Sequence, residues 1–302
     1  MGGLARAPQA LRARRAPGSP GRSSRARRRA GILRRLVLVG ALALVALLAY
    51  EVWTWPDVAA LARGRPATTA FIERYRQEQR ARGRSDRVDW RWVPYTAIAP
   101  SLKRAVLVAE DVNFFSHRGF DFAEIEKAVR EAIDEGEPPR GASTISQQLA
   151  KNLWLSPSRN PYRKLKEAVL TWQLERRLGK RRILELYLNV VELGPGIFGA
   201  EAASRRYFAR AAADLSDAEA AQLAASLPNP IVWHPGTTSR AYQRRVASIL
   251  RRMDRADFLS KQLGLTTPRR PHKVDRDPFP SPQLGRGVKL LTGRYGSGHG
   301  RS

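Results

Sequence analysis

The sequence predicts a mainly α-helical domain preceded by a single transmembrane helix. An apolar run from Leu36 to Trp55 is twenty residues long, about the length a helix needs to cross a bilayer. Between Ala99 and Met253 the apolar residues recur at helical spacing. No alternating strand pattern longer than a few residues occurs in that region. The chain therefore combines a membrane anchor with a helical domain.

Length and composition restrict the class of protein further. The chain has 302 residues, and its 43% hydrophobic content is enough to build a core. The formal net charge of +27 favours a polyanionic partner, such as nucleic acid or an anionic membrane. Eleven arginines fall within residues 1–35, which contain no acid, and this leaves +16 for the rest. The absence of cysteine excludes disulfides, thiolate metal sites and cysteine nucleophiles.

Residues 1–35 are predicted to form a basic, disordered arm, because they contain hardly any large apolar residue. Residues 36–55 follow as the transmembrane helix. A buried core helix and the apolar part of a cleaved signal peptide are the alternatives. The arginines at 34 and 35 disfavour the first, and no clean cleavage pattern supports the second. The positive-inside rule places the arm in the cytoplasm, where it orients the anchor and attracts lipid headgroups rather than binding nucleic acid.

The remaining chain divides into three segments. Residues 56–95 are mostly polar and are predicted to be a connecting region, with one helix over residues 69–80 and an extended piece near residues 90–93. Residues 96–255 form the predicted helical domain. Residues 256–302 contain many prolines and end in a glycine-rich stretch, which predicts a disordered tail.

Start signals mark two helices of the domain. Asp121 stands three residues before Glu124, ahead of an apolar series at helical spacing, which is the pattern of a capping box. Ser216 opens an alanine-rich helix that ends at Pro228.

Three polar clusters in the domain are candidates for chemistry. Glu110 ends an apolar stretch, where burial would favour a general base, although a charge at a helix end is the plain alternative. Hydroxyls and amides from Gly141 to Asn152 suit phosphate or sugar oxygens, or simply cap a helix. Arg163 and Glu167 stand at i, i+4, the spacing of a functional pair or of a surface ion pair. Taken singly, each cluster leaves both interpretations open.

Taken in order, five segments match one pattern. The first two are Glu-Asp-x-x-Phe-x-x-His-x-Gly over residues 110–119 and Gly-x-Ser-Thr-Ile-Ser-Gln-Gln over residues 141–148. The third is Arg-Lys-x-x-Glu over residues 163–167, and the last two lie within residues 180–208 and 215–228. In these segments the chain resembles the peptidoglycan glycosyltransferases of family fifty-one. Thr171, where many members have alanine, and Arg210, where lysine is common, are minor departures.

The resemblance implies a lysozyme-like helical glycosyltransferase domain in the bacterial inner membrane, with its catalytic part on the periplasmic side. Such an enzyme elongates β-1,4 glycan strands from lipid II, inverts the donor and releases undecaprenyl pyrophosphate. The implied partners are lipid II, the growing lipid-linked glycan, the membrane and proteins of cell-wall synthesis or division. The Ser-x-x-Lys and Lys-Thr-Gly motifs of a transpeptidase are absent, so the resemblance is to the monofunctional members.

The resemblance also implies the role of each site residue. Glu110 is the general base and Glu167 the second acid. The pyrophosphate is expected to be bound by Lys151, Arg163 and Lys164. Sugar or phosphate oxygens are expected to be hydrogen-bonded by Ser143, Thr144 and Gln148. His117 is expected to be structural. Mg²⁺ or Mn²⁺ is plausible near the pyrophosphate, with no ligand assigned. The apolar segment before Glu110 is expected to dock the domain on the membrane.

Two other classes compete with this prediction. A lysozyme-like lytic glycosidase would also use one or two glutamates. However, it needs neither a cluster of basic residues for pyrophosphate nor a membrane anchor. The other rival is a non-enzymatic membrane-tethered scaffold that binds wall polymer or nucleic acid, and it assigns no role to the two glutamates.

Overall fold

The computed structural model describes residues 22–137, 141–157 and 160–264. They form two compact units that divide after Pro56. The first unit contains helix α1 (Arg22–Trp53), whose part from Gly31 to Trp53 is long and apolar enough to cross a membrane. The predicted anchor is therefore present as a helix.

Helix α1 begins earlier than the sequence predicts. Residues 22–35 were expected to belong to a disordered arm, but they continue the helix of the apolar run. Alanine and arginine are both good helix formers, and a helix that is already nucleated extends at little cost. Residues 1–21 of the predicted arm lie outside the described residues.

The second unit is mainly helical, as predicted. Its helices, with their bounds, are α2 (Ala70–Ala81), α3 (Pro100–Glu110), α4 (Phe122–Glu135), α5 (Ile145–Trp154), α6 (Pro161–Arg177), α7 (Lys180–Val190), α8 (Ala200–Phe208), α9 (Asp217–Ser226), α10 (Arg240–Arg255) and α11 (Asp257–Gln262). Short 3₁₀ turns cover Ala59–Ala62, Tyr95–Ala97 and Ala212–Asp214. Asp121 caps α4 by accepting a hydrogen bond from the Glu124 N–H at 3.0 Å.

A small three-stranded sheet joins the connecting region to the domain. Strand β1 (Asp89–Trp90) pairs in parallel with β3 (Ile197–Phe198), and β2 (Glu192–Gly194) pairs with β3 in the antiparallel sense. The helix and the extended piece predicted within residues 56–95 are thereby confirmed as α2 and β1.

Asn189 at the end of α7 fixes this region to the helices. Its backbone oxygen accepts from Trp90 Nε1 at 2.7 Å, and its side chain exchanges two hydrogen bonds with the backbone of Val93. Gly199 lies against the same backbone at φ +81°, where a Cβ would stand 2.5 Å from the Asn189 oxygen. Residues 57–95 therefore belong to the second unit as part of the domain and are not a free connector.

Helix α3 lies in the core of the second unit. Leu102, Leu107 and Val108 are buried, and the helix packs against α9 and α10. The proposed membrane docking by the apolar segment before Glu110 is therefore wrong, because the core already covers those side chains. Exposed apolar residues lie instead on α4 and α6: Phe122, Val129 and Ile133, and Tyr162, Leu165, Val169 and Trp172.

The tail was predicted to be disordered from residue 256, but it begins with helix α11. Leu259 and Leu263 are buried there, and this burial offsets the conformational entropy lost on ordering a short helix. Residues 265–302 lie outside the described residues, so their predicted disorder remains a prediction.

Candidate active site

Glu110 is the last residue of α3, and donors from two other helices hold its carboxylate. Gln148 Nε2 of α5 donates to Oε2 at 2.9 Å, and Arg245 Nη2 of α10 donates to Oε1 at 2.9 Å. The Glu110 side chain is 14% exposed. Hydrogen bonds from a cation and an amide orient this carboxylate and hold it at the end of α3.

The orientation of the Gln148 amide is set by Tyr187. The buried hydroxyl of Tyr187, on α7, donates to Gln148 Oε1 at 2.8 Å. The amide oxygen therefore faces the tyrosine and the amide nitrogen faces Glu110. Burial raises the pKa of Tyr187 well above its ordinary value, and the charges of Glu110 and Asp111 raise it further, so the hydroxyl stays protonated and remains a donor.

His117 has the structural role that was predicted for it. The Gly119 N–H donates to Nδ1 at 3.1 Å, so the proton sits on Nε2, which donates to the Asp111 carboxylate at 2.9 Å. The same carboxylate accepts the Ile145 N–H at 2.9 Å. This pair ties the loop after Glu110 to the start of α5, the helix that carries Gln148.

The two hydroxyls predicted to contact substrate lie in different environments. Thr144 is buried and caps α5 in a capping box with Gln147, and its hydroxyl donates to the Gly119 oxygen at 2.6 Å. Ser143 is exposed and lines a cavity of about 150 Å³, together with Glu110 and the neighbouring acids and small residues. Thr144 borders the same cavity, but its hydroxyl is engaged by the fold, whereas Ser143 is exposed to the space that a ligand can enter.

Glu167 stands on α6 between two cations of its own helix. Arg163 Nη1 lies 2.6 Å from Oε2, and Lys164 Nζ contacts Oε1. The Glu167 side chain is only 4% exposed, so the i, i+4 pair seen in the sequence is a buried ion pair and not a surface one. The Lys164 side chain is 53% exposed and offers its remaining donors to solvent or a ligand.

Lys151 connects the two glutamates electrostatically. It lies in the last turn of α5, one turn beyond Gln148. Burial lowers its pKa, attraction to Glu167 opposes this shift, and repulsion from Arg163 and Lys164 adds to it; Glu110 contributes a smaller attraction. Lys151 is therefore a cation whose charge interacts with both glutamates. We call the region around Glu110, Gln148, Lys151 and Glu167 the two-glutamate site.

Sequence reasoning missed Arg245 and assigned no role to Tyr187. Arg245 belongs to the amphipathic helix α10, whose buried face is formed by Tyr242, Val246, Ile249 and Met253. One arginine among the several on this helix gives no local signal, because its partner Glu110 lies 135 residues away.

Asp111, His117 and Asp121 are the one group of potential metal ligands found among the described residues, with ligand atoms within 4.8 Å of one another. This group does not fit the expected Mg²⁺ or Mn²⁺. The facing Asp111 and His117 atoms already share a proton, and Mg²⁺ prefers oxygen ligands throughout. Among the described residues we therefore assign no ligands to the predicted metal.

Comparison with known proteins places this geometry in a family. The model of the transglycosylase family matches residues 76–254, which include the whole two-glutamate site. The chain belongs to this family, and the predicted resemblance and helical fold class are confirmed.

Similar chains define the group more narrowly. A biosynthetic peptidoglycan transglycosylase of Thiobacillus denitrificans is 48% identical over 215 residues, which cover 71% of this chain and 93% of that protein. One from Methylobacillus flagellatus is 44% identical and covers 72% and 94%. One from an Azoarcus species is 50% identical and covers 61% and 80%.

Proposed function

We propose that the chain is a membrane-anchored peptidoglycan glycosyltransferase that polymerises lipid II into β-1,4 glycan strands. The observation that carries the proposal is the pairing of Glu110, held by Arg245 and Gln148, with the cationic cluster around Glu167. The first group suits deprotonation of a hydroxyl, and the second suits a pyrophosphate leaving group. The match to the transglycosylase family and the names of the relatives support the same reaction.

At Glu110 the chemistry is proton removal. The hydrogen bonds from Gln148 and Arg245 use two of the roughly four lone-pair positions of its carboxylate. A free position accepts the proton of the sugar 4-hydroxyl of lipid II as that oxygen bonds to the anomeric carbon of the growing chain. General-base assistance of this kind contributes about 10²- to 10⁴-fold to a rate.

At the other end of the site the bond from the anomeric carbon to the pyrophosphate oxygen breaks. Undecaprenyl pyrophosphate leaves with the bonding electrons, and Lys151, Arg163 and Lys164 neutralise its charge. Glu167 holds Arg163 and Lys164 in place through its buried carboxylate. Attack from the face opposite the leaving group inverts the α-linked donor into a β-linkage without a covalent intermediate.

The polar residues at the start of α5 have different proposed roles. Ser143 hydrogen-bonds sugar or phosphate oxygens from the wall of its cavity. Gln148 acts mainly by orienting Glu110, and Thr144 acts by capping α5. Of the three residues expected to contact substrate here, Ser143, Thr144 and Gln148, we therefore propose Ser143 alone as a direct ligand.

The proposed topology follows from charge and apolar length. The arm stays in the cytoplasm together with the arginine-rich start of α1, and the apolar part of α1 spans the inner membrane. The second unit works on the periplasmic side, where it meets the growing wall. Because the chain has no cysteine, a single Ser85→Cys substitution at an exposed position tests this. An impermeant maleimide should label it in intact spheroplasts, and labelling only after lysis would contradict the topology.

A lysozyme-like hydrolase is the competing enzyme, and the choice of substrate separates the two. Purified full-length protein is incubated with lipid II and, separately, with preformed glycan strands, each with and without chelator. The proposal predicts polymer from lipid II and unchanged preformed strands. Shortened strands with untouched lipid II would contradict it, and the chelator arm reports whether a divalent ion is needed.

A further inference from the structure

A second cavity, of about 610 Å³, lies where α6 ends and α7 begins. Its walls come from the loop after Glu110, the end of α6 and the turn before Lys180. It shares no lining residue with the cavity beside Glu110 and Ser143. The reaction proposed above gives this space no role.

The charge of this cavity is positive, with two cations available. Among its charged residues Glu175 is engaged by Lys180 at 2.7 Å and by the Ser146 hydroxyl. Arg118 and Arg176 are exposed, and neither pairs with an acid among the described residues. Arginine presents a planar fork of donors that matches phosphate oxygens. The lining therefore suits one phosphate group.

The surroundings indicate that this phosphate carries apolar chains. Exposed apolar residues recur on one face of α6 at Tyr162, Leu165, Val169 and Trp172, so they form a stripe along the helix. Trp172, 52% exposed, ends the stripe and also lines the cavity, where the Arg176 guanidinium lies 5.3 Å from its ring. An apolar stripe contributes nothing to the binding of free phosphate, whereas it can contact the acyl chains of a lipid.

We propose that this cavity binds the headgroup phosphate of an anionic phospholipid, with Arg118 and Arg176 on its oxygens. Its acyl chains would lie along the stripe of α6. The membrane span of α1 keeps such lipids at high local concentration. This site goes beyond the proposed glycan transfer and does not depend on it, because it uses none of the residues of the two-glutamate site.

The test uses full-length protein in micelles of an uncharged detergent. Ser116 is exposed at the cavity wall, and in this cysteine-free chain a Ser116→Cys substitution carries one fluorescent label. Phosphatidylglycerol or phosphatidylcholine with a nitroxide on the acyl chain near the headgroup is titrated in, and quenching reports lipid at this cavity. Every variant compared keeps the same basic arm, so quenching by lipid held at the arm is common to all of them and cancels in the comparison.

The deciding variant combines Arg118→Gln with Arg176→Gln, and its matched control combines Arg63→Gln with Arg177→Gln, two exposed arginines outside the cavity lining. Wild type and control should be quenched at a several-fold lower fraction of phosphatidylglycerol than of phosphatidylcholine, and the deciding variant should lose this preference. Equal preference in all three proteins would overturn the proposal. So would a response to inorganic phosphate that needs both arginines while the two lipids quench alike, since the ligand would then be free phosphate.

Discussion

Arg245 donates a hydrogen bond to Glu110 across 2.9 Å, although 135 residues separate the two in the chain. The contact brings α10 to the end of α3, and α9 packs against both helices. The helix bundle therefore positions the proposed base as well as enclosing the core.

The first prediction concerns this ion pair. Replacing Arg245 with Gln leaves the Oε1 atom of Glu110 without its cation, so the carboxylate loses orientation. We expect polymerisation to slow by about 10- to 100-fold, mainly in kcat, because a one-ångström misplacement can cost about 100-fold. Arg244→Gln, at the exposed neighbouring position, is the control and should retain the wild-type rate. Equal polymerisation rates in the two variants would show that Arg245 does not contribute to the reaction.

The second prediction concerns the Gln148 amide. Tyr187→Phe removes the hydroxyl that fixes the amide oxygen, so the amide can rotate and turn its oxygen toward Glu110. A slower polymerisation rate is expected, with a loss of about 1 kcal/mol in the free energy of unfolding for the lost hydrogen bond. Steady-state kinetics and denaturant titration measure the two effects. A Phe variant with the wild-type rate would show that the amide needs no such restraint.

The third prediction separates the two hydroxyls at the start of α5. Thr144→Ala should lower the free energy of unfolding by about 1 kcal/mol, because an N-cap is lost. Ser143→Ala should leave stability within about 0.5 kcal/mol of wild type and raise the KM for lipid II. The reverse pattern, a stability loss at Ser143 and a pure KM effect at Thr144, would contradict the assignment.

The fourth prediction is a pH dependence of stability. Burial raises the pKa of Glu192 from 4.5 to about 7, the charge of Glu78 adds to this, and the Gly196 N–H opposes it. Between these pH values the unfolded chain has lost the proton while the folded chain keeps it, so stability falls as pH rises from about 4.5 to about 7. The full loss reaches at most about 3 kcal/mol above pH 7.

Glu192→Gln should remove this contribution, because the amide oxygen still accepts from the Gly196 N–H and carries no charge to bury. Unfolding measured at pH 5 and pH 8 should therefore show a smaller difference than in wild type. Glu126→Gln, whose side chain is 71% exposed, serves as the control and should behave as wild type. An unchanged difference in the Glu192 variant would show that this carboxyl is ionised at both pH values.

The sequence was informative where a signal is local. The apolar run, the start signals at Asp121 and Ser216, and the helical spacing all depend on residues within a few positions of one another, and the structure has these elements. The candidate acids were found because they stand in linear motifs. Their partners could not be found in this way, since Arg245 and Tyr187 reach the site only after the helices pack.

Two errors in the sequence-based predictions, at α3 and at the start of the tail, share one physical cause. Apolar content alone does not say which side of a helix faces the core, so α3 was taken as a membrane contact although α9 and α10 cover it. Likewise, the start of the tail was taken as disordered because the burial of Leu259 and Leu263 depends on distant helices. Such contacts appear only in the folded structure.

The most direct test of the account is glycan polymerisation by Glu110→Gln. Glutamine keeps the size of the side chain and can still meet Arg245 through its oxygen, but it cannot take the hydroxyl proton. Full-length variant and wild-type proteins are given lipid II at saturating concentration, and the rate of polymer formation is measured. The account predicts a loss of about 10²- to 10⁴-fold with the fold intact. Polymerisation at the wild-type rate would contradict the role of Glu110 as the general base.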